Sequence, residues 1–385
     1  MTKKILIFSP YYPPHIGGLE SHADEFNKYL SQRGADITVF TPRLPKESLE
    51  NEIRHNEVKI IRFPAFEIIA NYPLPKFWRL KFWRLFLNLF KEKFDIVISR
   101  TRFFNTSLLA LLYAKLKHLK WIHIEHGSGF VFLSSAFKIR LAKIYDHLLG
   151  RLIFKKSDLN ISISKAVQKF VYKFDRRESP IIRRGLDFEK IDKVSPDLET
   201  KNNYPHKIIL SFVGRLYKWK GVENSILAIK SLPEEIKEKI VFLVIGDGED
   251  FARLKKISEN EKSIVMLGNL PREKTVGTLK ISDIYLHSAY MGGGLSTSLL
   301  EALYCGCAVI ATPDEGADEV IENNKNGFLI ERSDAKLIAE KITEVLNKNT
   351  AKQKEAASAT VKNKFNWSGS IETYRQIFDK INQWK

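Results

Sequence analysis

The sequence predicts an α/β protein made of two Rossmann-like halves, each a parallel sheet covered by helices. Three observations predict it. Short apolar, β-branched runs alternate with helical patterns from the start of the chain. That alternation breaks at a polar stretch near residue 200 and then begins again. The chain has 385 residues, a length suited to two domains, with an ordinary globular balance of 44% hydrophobic and 28% charged residues.

In the first half, Ile5–Ser9 reads as a strand ending in a proline-rich turn. A helical pattern follows from Glu20 to Arg33, with Gly34 as its stop. Asp36–Thr41, Val58–Phe63, Phe94–Ser99, Trp121–Glu125 and Leu159–Ser164 read as further strands. Helices are expected at about 76–92, 106–118 and 136–155. Asp192–Pro205, polar and holding two prolines, reads as a linker. In the second half, Ile208–Val213, Ile240–Ile245, Ile264–Leu267, Ile284–Ser288, Ala308–Ala311 and Gly327–Ile330 read as strands. Gly221–Leu232 and Thr297–Tyr304 read as helices. Open α/β sheets take ligands beyond the carboxyl ends of their strands, so a cleft between the two halves is the expected site.

Charge narrows the partners. The net charge is +17, and it is uneven. Residues 1–200 hold 35 basic and 21 acidic groups, a surplus of 14; residues 201–385 hold 27 and 24, a surplus of 3. A basic half suits an anionic partner, whether nucleic acid, phospholipid or a phosphorylated substrate, or simply keeps a solvated surface soluble. No recognised nucleic-acid motif accompanies the charge. No run approaches the roughly 18 apolar residues of a membrane span. The first residues read as a buried strand rather than a signal peptide. The cysteines, Cys305 and Cys307, make neither a CxxC pair nor a metal-ligand pattern. A cytoplasmic protein with no bound metal is expected.

Two loops carry candidate chemistry. Val213-Gly-Arg-Leu-Tyr-Lys-Trp-Lys-Gly221 follows a strand and precedes a helix, which places Arg215 and Lys220 at the sheet's carboxyl edge. A guanidinium fork, a mobile ammonium and helix-start amides together suit a diphosphate. Met291-Gly-Gly-Gly-Leu-Ser-Thr-Ser-Leu-Leu-Glu301 begins with three glycines that allow close backbone approach. Ser296 and Thr297 are placed to cap the next helix, whose amino end is a second anion site. Glu301, one turn in, can accept hydrogen bonds from sugar hydroxyls. No GxGxxG follows the first strand, which disfavours a nicotinamide dehydrogenase.

In order along the chain, these pieces resemble the family 4 retaining glycosyltransferases of the GT-B fold. The resemblance rests on Gly17-Gly18-Leu19-Glu20, His126-Gly127, Gly185-Leu-Asp187, Gly214-Arg215…Lys220-Gly221, Gly246-Asp-Gly248, Leu267-Gly268, Gly294-Leu…Leu300-Glu301-Ala302, Gly306…Val309-Ile310, Asn326-Gly327-Phe328-Leu329 and Trp367…Tyr374. It covers nearly the whole chain. It implies an acceptor-binding domain at 1–192 and a donor-binding domain at 205–365. A terminal helix at about 366–385 would cross back to the first.

The resemblance also implies roles. Arg215 and Lys220 should hold the donor's diphosphate, and Glu301 its ribose. Gly18 should let backbone amides near the phosphates, with Glu20 on the acceptor side. His126 should lie beside the donor sugar, while His123 is structural. Asn269 and Leu270 should lie near the base. The co-substrate is a nucleoside-diphosphate sugar, with no further cofactor. The family usually has two glutamates flanking seven residues; Glu301 fits the second, and the first position is Gly293. The amides of Gly293, Gly294 and Leu295 are then expected to meet the sugar. This departure gives the alternative reading, a catalytically weak sugar-nucleotide-binding protein of the same fold. Arg184 before Gly185, where the family often has Asn, adds charge near the hinge.

Charge developing on the leaving oxygen would be met by fixed cations and a helix dipole rather than a metal. The resemblance implies front-face attack with retained configuration. The acceptor side carries the surplus charge. Lys76-Phe-Trp-Arg-Leu80 is repeated at once as Lys81-Phe-Trp-Arg-Leu85. A basic helix rich in Trp and Phe can lie in a bilayer interface, with Trp78, Lys81, Trp83 and Arg84 as contacts; packing on the sheet is the competing reading. Arg100 and Arg102 are expected to face an acceptor's phosphate. A lipid-linked glycan, glycolipid or polysaccharide precursor at the inner face of the cell membrane is the expected acceptor.

Overall fold

A computed structural model describes residues 3–55, 57–68, 72–130, 136–291 and 294–381. The chain forms two compact units. One holds the chain up to Gly185 together with Trp367 onward; the other is Leu186–Asn366.

Among the described residues, the first unit is built on nine strands: β1 (Lys4–Phe8), β2 (Asp36–Pro42), β3 (Asn51–Arg54), β4 (Val58–Phe63), β5 (Ala65–Ile68), β6 (Tyr72–Pro75), β7 (Ile96–Arg100), β8 (Lys120–Glu125) and β9 (Leu159–Ser162). Its helices are α1 (Gly18–Ser31), α2 (Leu80–Asn88), α3 (Asn105–Lys117), α4 (Ala136–Lys156) and α5 (Lys165–Tyr172). The sheet order is β3-β4-β2-β1-β7-β8-β9, parallel except for β3. β5 and β6 form a separate hairpin.

The central strand shows why this layering holds. Ile5, Leu6, Ile7 and Phe8 are all fully buried, as a strand covered on both faces requires. Ile5 and Ile7 pack with Phe26 and Leu30 of α1 and with Trp367, Ile371 and Tyr374. Leu6 and Phe8 face the other way, onto Phe82, Phe86, Leu109 and Tyr113 of α2 and α3. The terminal helix Trp367–Ile381 is thus part of the first unit's core. Trp367 Nε1 donates to Glu25 (3.0 Å), and the Tyr374 ring stands edge-on to Phe26.

The second unit begins with α6 (Phe188–Asp192) and α7 (Leu198–Asn203). Then come β10 (Ile208–Val213), α8 (Val222–Ser231), α9 (Glu234–Lys237), β11 (Ile240–Ile245), α10 (Phe251–Ser258), β12 (Ile264–Gly268), α11 (Arg272–Ile281) and β13 (Ile284–His287). α12 (Thr297–Tyr304), β14 (Ala308–Ala311), α13 (Ala317–Val320), β15 (Phe328–Leu329), α14 (Ala335–Leu346) and α15 (Ala351–Lys364) complete it. Its all-parallel sheet runs β12-β11-β10-β13-β14-β15.

The expected linker at 192–205 is instead ordered structure of the second unit. Asp197 caps α7 through Thr200, and Lys274 and Thr278 of α11 bind the same carboxylate at 2.9 and 3.2 Å. A polar, proline-bearing stretch resembled a linker because its partners lie some 80 residues away. The division falls between Gly185 and Leu186.

Candidate functional site

In the second unit, strand order reverses at β10, which has β11 on one side and β13 on the other. A parallel sheet opens a crevice at the carboxyl ends of such a pair. The loop leaving β10 is Gly214–Gly221. Leu216 anchors it by full burial and by hydrogen bonds to Asp247 and Asp250. A 3₁₀ turn then brings Lys218–Lys220 round. Gly221 closes the turn at φ 68°, and a Cβ there would lie 1.9 Å from the Ser288 carbonyl oxygen. Only glycine meets both demands. Ser288 Oγ donates to the Gly221 carbonyl (2.9 Å), tying this loop to the end of β13.

Arg215 is exposed at the loop's tip. Lys220 is mostly buried, and its Nζ lies 2.7 Å from each oxygen of Glu315. Beyond β13, Gly294, Leu295 and Ser296 lead into α12, which Thr297 begins. Ser296 takes the N-cap position, but its hydroxyl meets Ser298 Oγ (3.2 Å) and not an amide of the first turn. The capping expected of Ser296 is therefore not made, and the dipole at this end is not answered by its hydroxyl. Gly293 lies outside the described residues.

Glu301 is buried on α12, and one oxygen, Oε1, is held at 2.6 Å by Arg272 Nη2. Arg272 opens α11, just after Asn269 and Leu270 at the end of β12. Two ion pairs thus stitch these loops together. One joins Lys220 to Glu315, whose carbonyl accepts from Ser296 N (3.2 Å). The other joins Arg272 to Glu301. Neither Glu315 nor Arg272 was legible as a site residue. Their partners stand 95 and 29 positions away, and no local motif marks them.

The first unit gathers a different set at the carboxyl ends of β7 and β8. Glu125 is the organising group. Its Oε1 accepts from the amides of His126 (3.0 Å) and Gly127 (2.7 Å), which fixes the turn that carries them. Its carboxyl lies far below the usual range: burial alone would raise it, but Arg102 and His123 hold the ionised form. His126 is half-buried and stands edge-on to His22, ring centroids 4.6 Å apart. Burial, reinforced by the charge of Arg100, lowers its pKa to about 3, so the imidazole is neutral at physiological pH. Its Nε2 has no hydrogen-bond partner among the described residues. His123 is fully buried between Ser99 and Glu125.

Three acceptor-side expectations change. Arg102 does not face solvent: Glu125 (3.0 Å), Asp146 (2.8 Å) and the Gly129 carbonyl (2.7 Å) take its guanidinium. Arg100 is also fully buried, over the Phe26 ring and bonded to His22 Nδ1 (3.0 Å). Both are internal charges of the fold, because a buried guanidinium needs acceptors or a ring face beside it. Glu20 is buried too, its carboxylate 2.5 Å from His15 Nδ1. Gly18, in contrast, is exposed as the first residue of α1.

The doubled KFWRL segment folds as α2 from Leu80 onward. Phe82, Phe86 and Leu89 turn inward, satisfying the sheet. Trp78 (68% exposed) and Trp83 (42%) turn outward. Arg84 is exposed, while Lys81 pairs with Glu50. On α4, Leu141, Ile144, Tyr145, Leu148 and Leu152 are exposed at helical spacing, a stripe not foreseen from sequence. Arg140, Lys143, Arg151 and Lys155 are exposed beside it. Among the described residues, no helix is long and apolar enough to cross a membrane.

Known proteins resemble this chain in both halves. Residues 196–366 match the family model described as glycosyl transferases group 1, and residues 16–190 that of glycosyltransferase family 4. An uncharacterized glycosyltransferase of Methanocaldococcus jannaschii is 49% identical, with 98% of each chain covered. The gpi3 subunit of the phosphatidylinositol N-acetylglucosaminyltransferase of Schizosaccharomyces pombe is 24% identical, covering 97% of this chain and 80% of its own. Among solved structures, Anabaena HepE in complex with UDP and glucose superposes with a TM-score of 0.73 at 17% identity, covering 98% of this chain and all of its own.

Proposed function

The chain belongs to the group 1 glycosyltransferases of the GT-B fold, and from this we propose that it moves a sugar from a nucleoside-diphosphate sugar to a lipid-linked acceptor, with retained configuration and without a metal ion. The single observation that carries the donor reading is the set of groups at the carboxyl ends of β10 and β13. Arg215 and Lys220 supply positive charge, α12 directs its amino end there, and Glu301 offers its second oxygen to the ribose. Asn269 and Leu270 border the base, and Gly294–Thr297 border the sugar diphosphate. As the glycosidic bond breaks, negative charge grows on the leaving diphosphate. Cations and helix amides gathered at the bound diphosphate answer it, the role a divalent ion plays elsewhere. HepE, a relative in fold, was solved with UDP and glucose, which supports a nucleotide sugar as co-substrate.

On the first unit, His126 supplies a neutral imidazole whose buried Nε2 has no hydrogen-bond partner among the described residues, suited to one hydrogen bond with a reacting hydroxyl. Gly18 supplies the exposed amino end of α1. Arg100, Arg102 and Glu20 hold this framework rather than touching substrate. The fission yeast relative is named for phosphatidylinositol, which supports a lipid acceptor. The exposed Trp78, Trp83 and Arg84, with the α4 stripe and its basic neighbours, suit the interface of an anionic membrane. Each basic group near such a surface adds about 1 kcal/mol, enough for peripheral attachment when four or five act together.

The test uses vesicles containing anionic lipid and lipid-linked saccharides, incubated with labelled UDP-, GDP- and ADP-sugars. Label is expected to enter the lipid phase from one donor. Trp78→Ser with Trp83→Ser, or Leu148→Ser with Ile144→Ser, should lower both vesicle pelleting and transfer severalfold. A wild-type protein that never pellets sinks the membrane part of the proposal.

A further inference from the structure

Lys220 is not an unclaimed cation. Glu315 grips its ammonium with both carboxylate oxygens at 2.7 Å. The pair is largely withdrawn from water, with side-chain exposures of 14% for Lys220 and 4% for Glu315. At that depth a carboxylate opposite an ammonium is screened little, so the attraction is strong and the geometry fixed. Glu315 also sits on unusual backbone. Its φ of 52° is in the left-handed region, which non-glycine residues seldom occupy. Its carbonyl accepts from the Ser296 amide at the start of α12, so the loop is pinned where the carboxylate meets the phosphate-binding loop. Uncommon backbone that holds a charged group in a site is a recurrent mark of function.

His287, at the end of β13, is a basic side chain beside this carboxylate, its Nε2 3.5 Å from Glu315 Oε2; the acidic Asp314 and the Tyr285 hydroxyl also lie within electrostatic reach of it and bring no positive charge. Burial keeps the His287 ring neutral, so it supplies no second positive charge. Among the described residues, Lys220 is therefore the cation that balances Glu315. Two phosphate oxygens and one carboxylate make the same demand on the same ammonium.

We propose that Glu315 is an internal competitor for the donor's diphosphate: it holds Lys220 while the site is empty and reclaims it as the nucleoside diphosphate leaves. The inference rests on the donor role of Lys220 and adds an affinity-determining residue to it. Donor binding exchanges one ion pair for another, so affinity is held below what the cations alone would give. Product release is correspondingly faster. No bond is made or broken in this exchange; only the partner of the Nζ changes.

The test is a calorimetric titration of the full chain with UDP, GDP and ADP, with dissociation followed by stopped flow. Glu315→Gln keeps shape and removes the charge; Glu315→Gly also suits the left-handed backbone and keeps the question open if the first variant folds poorly. Both should tighten binding of the preferred nucleotide about tenfold and slow its dissociation by a similar factor. Unchanged or weaker affinity in a folded Glu315 variant overturns the proposal. Lys220→Ala serves as the separate control: if it leaves nucleotide affinity untouched, the donor reading fails before the competitor does.

Discussion

Lys220→Ala and Arg215→Ala should each weaken nucleoside-diphosphate binding, and Lys220→Ala should do so more. A charge-assisted hydrogen bond contributes about 1.5–3 kcal/mol, or roughly 10–150-fold in affinity. Arg215 is exposed, so solvent screening places its loss at the low end, near tenfold. Lys220 differs because of its partner. Without the ammonium, Glu315 becomes a buried carboxylate facing the incoming phosphates. Breaking one side of a buried pair destabilises by about 3–5 kcal/mol, so Lys220→Ala should also melt early. The double variant Lys220→Ala with Glu315→Gln should recover most of that stability but not the wild-type affinity. Calorimetric titration and melting curves on the three variants check this; equal affinity in all of them sinks the site assignment.

Acidification should destabilise both units well before ordinary carboxylates titrate. In the second unit, burial lowers His287 to about 4 from an ordinary 6.5. The unfolded chain then takes up a proton that the folded chain refuses as pH falls below 6.5. The stability this group provides is complete above pH 6.5 and is lost as pH falls toward 4. At pH 5 the loss is about 2 kcal/mol, or roughly 4–8 °C in Tm for a domain of this size. In the first unit, His22, His123 and His126 are lowered in the same direction, chiefly by burial. Asp146 opposes them. Burial outweighs the pull of Arg102 and raises it to about 6, so its protonation returns about 1 kcal/mol between pH 7 and 5. Three histidines outweigh one aspartate, so the first unit should lose stability too. Scanning calorimetry from pH 7.5 to 5 checks this, and His287→Asn should flatten the dependence of the second unit. A constant Tm over that range contradicts the buried neutral histidines.

Much of the fold was legible because its strands are continuous apolar runs. Ile240–Ile245 and Ala308–Ala311 match their strands to the residue, since a strand covered on both faces leaves no polar interruption. The edge strand β3 and the β5–β6 hairpin were missed; four residues with mixed exposure carry too little periodicity. Loop positions at strand ends were also legible, and Arg215 and Lys220 do lie on the loop that leaves β10. Pairings were not. Arg102 looked like a surface charge because Glu125 and Asp146, which bury it, lie 23 and 44 residues away. The α2 segment shows the same limit in another form: composition indicated an amphipathic helix, but only packing separated inward Phe82 and Phe86 from outward Trp78 and Trp83.

The stereochemistry of transfer in the presence of EDTA tests the central claim most directly. The enzyme is incubated with its preferred α-linked nucleotide sugar and acceptor, and the anomeric proton of the product is read by NMR. An α-linked product formed at an undiminished rate in EDTA is the predicted result. A β-linked product, or transfer that appears only when a divalent ion is restored, would contradict a metal-free retaining reaction driven by Arg215, Lys220 and the amino end of α12.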